Sequence, residues 1–143
     1  MKLDLVFSGV GGQGVVVLSD IYCEAAMLDG FDVAKAEIHG MAQRGGSIVA
    51  YARIGDRVES PLIETGKADA IIGFEILETA RAIPMLKQNG SVVVNMKYIL
   101  PSCLPSGHKT KKTEELIEII KAKALKVHQV DGSGIAEIVG NPL

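Results

Sequence analysis

The sequence predicts an α/β protein: a single three-layer α/β/α domain with a mixed, mostly parallel sheet and a glycine-rich first strand-to-helix turn. Along most of the 143 residues, short apolar runs typical of buried strands alternate with helical stretches, as in layered α/β domains. A glycine cluster at Gly9–Gly14 follows the first apolar run and opens a helical stretch. Only Val33–Glu59 offers strands with no helix between them, which predicts the antiparallel part of the sheet.

The first half of the chain begins with a strand, the glycine turn and a helix. Apolar residues at helical spacing on one face predict the helix, and a glycine just past its end suits the left-handed C-terminal cap. The polar loop His39–Gly46 separates two further strands, and Arg57–Glu59 is a candidate for a short third arm. In order, we expect a strand at Leu3–Ser8, a helix at Val15–Leu28 capped by Gly30, and strands at Val33–Ile38 and Ser47–Ile54.

The second half continues the alternation of strands and helices. We expect a helix at Glu75–Gln88, kinked or shortened by Pro84 and stopped by Asn89–Gly90. Thr113 suits an N-cap, because acidic residues follow it and lysines lie toward the far end of the helix. The remaining expected elements are strands at Ala70–Phe74, Ser91–Asn95 and Leu125–Val130, a loop at Tyr98–Gly107, a turn at Asp131–Gly134 and a last helix at Ile135–Val139.

Composition excludes several classes of function. Fifteen Lys and Arg against 17 Asp and Glu give a net charge of −2, which disfavours a basic nucleic-acid surface. Aromatic residues make up 4% of the chain and Trp is absent, so a base-stacking platform is not expected. Cys23 and Cys103 alone cannot build a four-cysteine iron–sulfur or zinc site. With no signal-peptide pattern and no apolar run of about 20 residues, we expect a cytoplasmic protein without a membrane contact.

The glycine turn matches G-x-G-x-x-G through Gly9, Gly11 and Gly14, directly after a strand and before a helix. Glycines let the backbone approach an anion, and the free N–H groups of a helix start can bind it. A dinucleotide site also needs an acid about 20 residues further on, for which Glu37 is the candidate. A phosphorylated cofactor, a partner's backbone or carboxylate, and a tight turn without a ligand all remain open. The candidate binding residues here are Gly9, Gly11, Gly12, Gln13 and Gly14.

The loop HGMAQRGGS at residues 39–47 concentrates polar groups beside consecutive glycines. A guanidinium next to exposed backbone suits a phosphate, a carboxylate or a partner loop. His39 by itself is also compatible with a purely structural histidine. Asn95 ends a predicted buried strand, and the carboxyl ends of parallel strands are where open α/β sheets bind ligands. These candidates are His39, Gln43, Arg44, Gly45, Gly46, Ser47 and Asn95.

Three segments together carry a family resemblance: GVGGQG, then AEIHGMAQRGGS, then ESPLI. This combination resembles the gamma-type subunits and domains of the 2-oxoacid:ferredoxin oxidoreductase family, and within it the small (beta) subunit of the indolepyruvate enzymes. The resemblance covers the chain to about Asn95 and more loosely its remainder, so we expect one gamma-type domain over residues 1–143. Members of the family usually continue past an NPL-like segment with another helix. We therefore expect the last element here to be missing or disordered.

The resemblance implies a subunit of an enzyme that oxidatively decarboxylates aryl 2-oxo acids such as indolepyruvate to acyl-coenzyme A. Electrons would pass to ferredoxin, and thiamine diphosphate and iron–sulfur clusters would belong to a large partner subunit. This chain would hold no cofactor and no catalytic residue, and it would be inactive alone. The glycine turn and Arg44–Ser47 would lie at the subunit boundary, against coenzyme A phosphates, the substrate or the partner.

Two other classes of function remain open from the residues alone. The glycine turn also suits a stand-alone nicotinamide-dependent oxidoreductase, although the chain is short and offers no substrate domain. A ligand-binding or interaction module without enzymatic activity is the other alternative.

Overall fold

A computed structural model of the chain describes residues 2–41, 45–101 and 110–140. It consists of six strands and four helices with one short 3₁₀ turn at Ile83–Met85. The strands are β1 (Lys2–Val10), β2 (Asp32–His39), β3 (Ser47–Gly55), β4 (Ala68–Gly73), β5 (Leu86–Asn95) and β6 (Lys126–Val130). The helices are α1 (Val15–Leu28), α2 (Ile76–Ala82), α3 (Thr113–Lys121) and α4 (Gly132–Ile138).

All six strands form one sheet in the order β2-β3-β1-β4-β5-β6. The pairs β2/β3 and β3/β1 are antiparallel, whereas β1/β4, β4/β5 and β5/β6 are parallel. The mixed, mostly parallel sheet expected from the sequence is therefore confirmed. The antiparallel part coincides with the segment that lacks an intervening helix.

Each face of the sheet carries its own apolar core. On one face α1 covers β1 and β3, and the buried residues include Phe7 and Val15. On the other face α2 and α3 cover the parallel strands, and the buried residues include Ile71, Leu116 and Ile120. Successive residues of β1 alternate between the two cores, since Leu5 and Phe7 face α1 while Val6 faces α2. This arrangement is the predicted three-layer α/β/α domain.

The boundary between α2 and β5 differs from the sequence expectation. The helix predicted at Glu75–Gln88 is present but shorter: α2 ends at Ala82, and Pro84 lies in the 3₁₀ turn that follows, as expected for a proline that shortens a helix. The predicted end at Asn89–Gly90 is wrong. β5 already begins at Leu86 and contains Asn89 and Gly90 at an irregularity in its pairing with β4. Leu86 is fully buried, and a Cβ at Gly90 would lie 2.6 Å from Leu86 Cδ1, so a glycine at position 90 lets the strand pack against this side chain.

Several smaller expectations are corrected at element ends. β1 extends through Gly9 and Val10, which were expected to belong to the turn. Arg57–Glu59 forms no strand. Thr113 is the first residue of α3 rather than its cap; the N-cap position is Lys112, whose side chain makes no capping hydrogen bond.

Two other helix ends follow simple capping rules. α4 begins at Gly132 rather than at the expected Ile135, because the Asp131 carboxylate accepts a hydrogen bond from the Gly134 N–H at 2.9 Å and caps the helix. The predicted cap at Gly30 is confirmed: its φ is +86°, and its N–H donates to the Met27 carbonyl.

Candidate functional site

The glycine turn connects the carboxyl end of β1 to the start of α1. Gly12 and Gly14 have φ angles of +100° and +81°, a backbone conformation that strains other residues. The first intrahelical bond runs from the Leu18 N–H to the Gly14 carbonyl at 2.9 Å. The N–H groups at the start of α1 therefore have no partner within the helix, as at any helix N-terminus.

The Gln13 side chain is used inside the turn. Its Oε1 accepts the Val10 N–H at 2.8 Å, and its Nε2 donates to the Phe74 carbonyl at 3.1 Å. The amide thereby ties the glycine turn to the connection between β4 and α2. In this arrangement Gln13 orders the turn from within, and its role toward a ligand stays a prediction.

Asn95 has a comparable bridging role at the end of β5. Its Nδ2 donates to the same Phe74 carbonyl at 3.0 Å and to Ser133 Oγ at 3.3 Å, and its Oδ1 accepts the Gly132 N–H at 3.0 Å. The expectation that Asn95 lies at the carboxyl edge of the sheet is met. Its amide joins β5, the β4–α2 connection and the start of α4.

The glycine turn and the 39–47 loop meet at a backbone hydrogen bond. The Gly11 N–H donates to the Gly46 carbonyl at 2.9 Å, and the Gly40 N–H donates to the Ser47 carbonyl at 2.7 Å across the base of the loop. The two glycine-bearing motifs that the sequence singled out are therefore brought together at one edge of the sheet. Gln43 and Arg44, two of the predicted binding residues, lie outside the described residues.

Ser47 leads to charged residues that sequence reasoning missed. Its Oγ donates to Glu78 Oε2 at 2.6 Å, and Arg81 NH1 donates to Glu78 Oε1, also at 2.6 Å. Only 6% of the Glu78 side chain is exposed, against 54% for Arg81. On the sequence Glu78 and Arg81 look like an ordinary surface pair three residues apart. The one sequence signal that could have identified Glu78 is that this acidic residue lies on the core-facing side of a short helix.

Glu75 is a second buried carboxylate at the start of α2, and sequence reasoning did not single it out. It is fully buried and accepts the Glu78 N–H at 2.8 Å and the Ile99 N–H at 2.9 Å. Burial raises the pKa of Glu75, and the two backbone donors oppose that shift. Its carboxylate attaches residue 99 and its neighbours to the first turn of α2.

His39 belongs to a charged row at the edge strand β2. Its Nε2 lies 2.8 Å from Glu37 Oε2, and Lys35 Nζ bonds both Glu37 and Asp20. The hydrogen bond from Lys35, followed by the contact with His39, lowers the pKa of Glu37. Burial favours the uncharged form of Lys35, but its two carboxylate partners outweigh that effect and raise its pKa.

This row weakens the nicotinamide alternative. Glu37, the candidate ribose ligand, is engaged by Lys35 and His39. In a dinucleotide site the pyrophosphate approaches the backbone at the second glycine of the motif. That glycine is Gly11 here, and its N–H already donates to the Gly46 carbonyl.

Two cavities flank the glycine turn. The first has a volume of about 420 Å³ and an apolar interior that includes Leu18, Ile72 and Val93. The second, of about 300 Å³, lies between the 39–47 loop and α2. Ile99 lines both cavities, and its N–H is held by Glu75. Polar or glycine residues of the first cavity are Gly11, Gly12, Gln13, Gly73, Asn95, Lys97, Gly132 and Ser133, and those of the second are Gly40, Gly45, Gly46, Ser47, Glu78 and Arg81.

Neither a metal site nor a membrane span is found in the described part of the chain. Over residues 2–41, 45–101 and 110–140, no three His, Cys, Asp or Glu side chains cluster in a way that could hold a metal ion. In the same residues, no helix is both long and apolar enough to cross a bilayer. Cys23 is buried with a free thiol, and burial raises its pKa.

Comparison with known proteins identifies the family. Residues 4–143 match the family model described as pyruvate ferredoxin/flavodoxin oxidoreductase. The chain is 44% identical, over its whole length, to 71% of the indolepyruvate oxidoreductase subunit IorB of Archaeoglobus fulgidus. It is 33% identical, over 99% of its length, to 71% of the pyruvate/ketoisovalerate oxidoreductases common subunit gamma of Thermococcus litoralis.

A solved structure shows the same fold within a much longer chain. This is the 2-oxoglutarate:ferredoxin oxidoreductase from Magnetococcus marinus with 2-oxoglutarate, coenzyme A and succinyl-CoA bound, matched with a TM-score of 0.68 at 14% identity. The match covers 98% of this chain and 22% of that one. The structural match shows the fold, and the sequence matches confirm the resemblance: the chain belongs to the pyruvate ferredoxin/flavodoxin oxidoreductase family, as a small subunit of the 2-oxoacid:ferredoxin oxidoreductase type.

Proposed function

We propose that the chain is the cofactor-free small subunit of a complex that oxidatively decarboxylates aryl 2-oxo acids of the indolepyruvate kind to acyl-coenzyme A. Ferredoxin accepts the electrons, and the large partner subunit holds thiamine diphosphate and the iron–sulfur clusters. The similarity to an indolepyruvate oxidoreductase subunit supports this substrate class. Family membership favours this function over a stand-alone dehydrogenase or a module without activity.

The observation that carries the proposal is the joining of the two glycine motifs by the Gly11–Gly46 hydrogen bond. The side chains of Gln13 and Ser47 are engaged internally, so this surface offers mainly glycine backbone to a neighbour. Exposed apolar side chains occur in the neighbouring segments: Met41 is fully exposed, and Ile38 and Leu100 are more than half exposed. Apolar exposure beside open backbone is typical of an interface with another protein.

In the proposed role, this surface packs on the large subunit and closes its active site. The glycine turn and the 39–47 loop then contact coenzyme A phosphates, the substrate or the partner backbone. The unpaired N–H groups at the start of α1 are suited to a phosphate. The contacting residues we propose are Gly9, Gly11, Gly12, Gln13, Gly14, His39, Gln43, Arg44, Gly45, Gly46, Ser47 and Asn95.

Co-expression with the large subunit tests this function. We expect the two chains to co-purify and to reduce ferredoxin in the presence of indolepyruvate and coenzyme A, whereas this chain alone is inactive. Met41→Asp should weaken co-purification, because it places a charge on the proposed interface. Leu28→Asp is the matched control, because Leu28 is 88% exposed at the far end of α1. Oxidation of indolepyruvate by the isolated chain would refute the proposal.

A further inference from the structure

We propose that the cavity between the 39–47 loop and α2 is an oxyanion site that takes a phosphate or diphosphate group, with Arg81 as its cationic ligand. The choice of this end of the sheet as the functional surface rests on the proposed function. It adds a binding residue that lies outside both glycine motifs. The cavity has a volume of about 300 Å³, which is enough for a diphosphate.

Arg81 is held in place by a buried carboxylate. Glu78 Oε1 accepts from Arg81 NH1 at 2.6 Å, and Glu78 Oε2 accepts from Ser47 Oγ at the same distance. The Glu78 side chain is almost fully buried, and its backbone N–H is fixed in turn by Glu75. A buried charge needs such partners. Glu78 therefore acts as a positioning residue that orients the guanidinium and fastens the end of the 39–47 loop to α2.

The remaining face of the guanidinium is available to a ligand. Arg81 lines the cavity and is 54% exposed, and within the described residues its side chain bonds only Glu78. A guanidinium presents several N–H donors in a plane, and one edge can hold a carboxylate while the other binds a phosphate. Among the described residues that line the cavity, Glu78 carries the only negative charge, and Arg81 neutralises it.

Gly45 and Gly46 supply backbone to the same cavity. The N–H groups of Gly45 and Gly46 make no backbone hydrogen bond to another described residue. Gly45 has a φ of +71°, and successive N–H groups around such a left-handed residue form a concavity that binds anions. A phosphate has more acceptor oxygens than a carboxylate, which favours a phosphorylated ligand in a cavity lined by a guanidinium and by glycine backbone.

Titration with pyrophosphate tests the site directly. In the ¹⁵N-labelled chain we expect pyrophosphate to shift the amide signals of Gly45 and Gly46 and the Arg81 Nε–H signal. Arg81→Gln should weaken binding by roughly tenfold to a hundredfold, as expected for loss of a charged hydrogen-bond donor. Arg81→Lys keeps a counter-charge for Glu78, so it should fold normally and bind with intermediate affinity. The control Lys121→Gln removes an exposed lysine from a similar pair with Glu118 on α3 and should bind like the wild type.

The outcomes separate this inference from the proposed function. Absence of pyrophosphate shifts at Gly45, Gly46 and Arg81 would overturn the site, as would equal weakening by Arg81→Gln and Lys121→Gln. Acetate binding as tightly as pyrophosphate would overturn the phosphate class. If the wild-type chain co-purifies with an active large subunit while any of these results is found, the inference fails and the proposed function stands. If co-purification fails while pyrophosphate binding depends on Arg81, the site stands and the proposed function fails.

Discussion

Gln13 and Asn95, 82 positions apart in the sequence, donate hydrogen bonds to the same carbonyl oxygen, that of Phe74, at 3.1 and 3.0 Å. The carbonyl follows β4, Gln13 follows β1, and Asn95 ends β5. Three neighbouring parallel strands are thus joined at their carboxyl ends by two side-chain amides. Gln13, the polar residue of the glycine motif, therefore has a structural role. Interpreting the motif only as a phosphate-binding loop would not predict that role.

The first prediction concerns this junction. Gln13→Ala removes the acceptor of the Val10 N–H and one donor to Phe74, so the free energy of unfolding should fall by about 1–3 kcal/mol. Gln88→Ala is the control, because Gln88 is exposed on β5 and should change stability by less than about 0.5 kcal/mol. Urea denaturation of both variants measures the difference. Equal stabilities would show that the junction contributes nothing.

The second prediction separates the first two glycines of the motif. A Cβ at Gly9 would lie 2.7 Å from Val15 Cγ2 and 2.8 Å from Phe74 Cβ, whereas the nearest atom to a Cβ at Gly11 is 3.7 Å away. Gly9→Ala should therefore destabilise the chain by about 1–3 kcal/mol through overpacking. Gly11→Ala should change stability by less than about 1 kcal/mol. Thermal unfolding of the two variants tests the contrast, and a more severe effect at Gly11 would contradict the geometry.

The fold was largely predictable because a three-layer domain leaves a clear pattern in the sequence. Strands buried on both faces, such as Leu5–Phe7 in β1, appear as continuous apolar runs, and glycines mark the ends of α1. The α2–β5 boundary was not predictable in the same way. The polar residues Lys87–Asn89 suggest a helix end, but burial of Leu86 and the pairing of Ala68 with it make the segment a strand.

The candidate site was predictable only in part. Glycine spacing and loop composition indicated both motifs, and the structure joins them through Gly11 and Gly46. Glu75, Glu78 and Arg81 were missed because charged residues on a helix normally indicate a solvated face. The burial of Glu75 and Glu78, and with it the pairing of Glu78 with Arg81, depends on how α2 lies across the ends of the strands, which no local pattern specifies.

The third prediction follows from the raised pKa of Glu75. For a carboxyl group whose pKa is higher in the folded chain than in the unfolded one, the folded chain binds more protons in the intervening pH range. Its contribution to stability is therefore full below the ordinary pKa of glutamate and is lost as the pH rises through the raised value. Glu75→Gln cannot titrate, so the unfolding free energy of the wild type relative to this variant should fall as the pH rises from acid toward neutral.

Urea denaturation of both proteins at a series of pH values measures this slope. Loss of the hydrogen bonds of Glu75 changes the unfolding free energy of the variant by the same amount at every pH, so it does not affect how the difference varies with pH. Parallel curves, or a difference that grows with pH, would show that burial does not control the ionisation of Glu75.

The last prediction concerns Arg53, whose side chain links β3 to the segment that leads into β4. Its Nε donates to Asp4 Oδ1 at 3.0 Å, and its NH1 donates to the carbonyls of Ser60 and Leu62 at 3.2 and 3.0 Å. Only 3% of the Asp4 side chain is exposed. Arg53→Met leaves this carboxylate with the exposed Lys2 as its remaining ion-pair partner, so stability should fall by about 3 kcal/mol.

Arg57→Met is the matched control, because Arg57 and its partner Glu59 are 84% and 77% exposed and such a pair contributes at most about 1 kcal/mol. Hydrogen exchange gives a second measurement. Because NH1 fixes the carbonyls of Ser60 and Leu62, the amides of residues 58–60 and 62–63 should exchange faster in Arg53→Met but not in Arg57→Met. If the two variants are equally stable, Asp4 is not held by Arg53. Reduced stability without faster exchange would instead mean that the ion pair stabilises β1 and β3 without ordering the connection that follows.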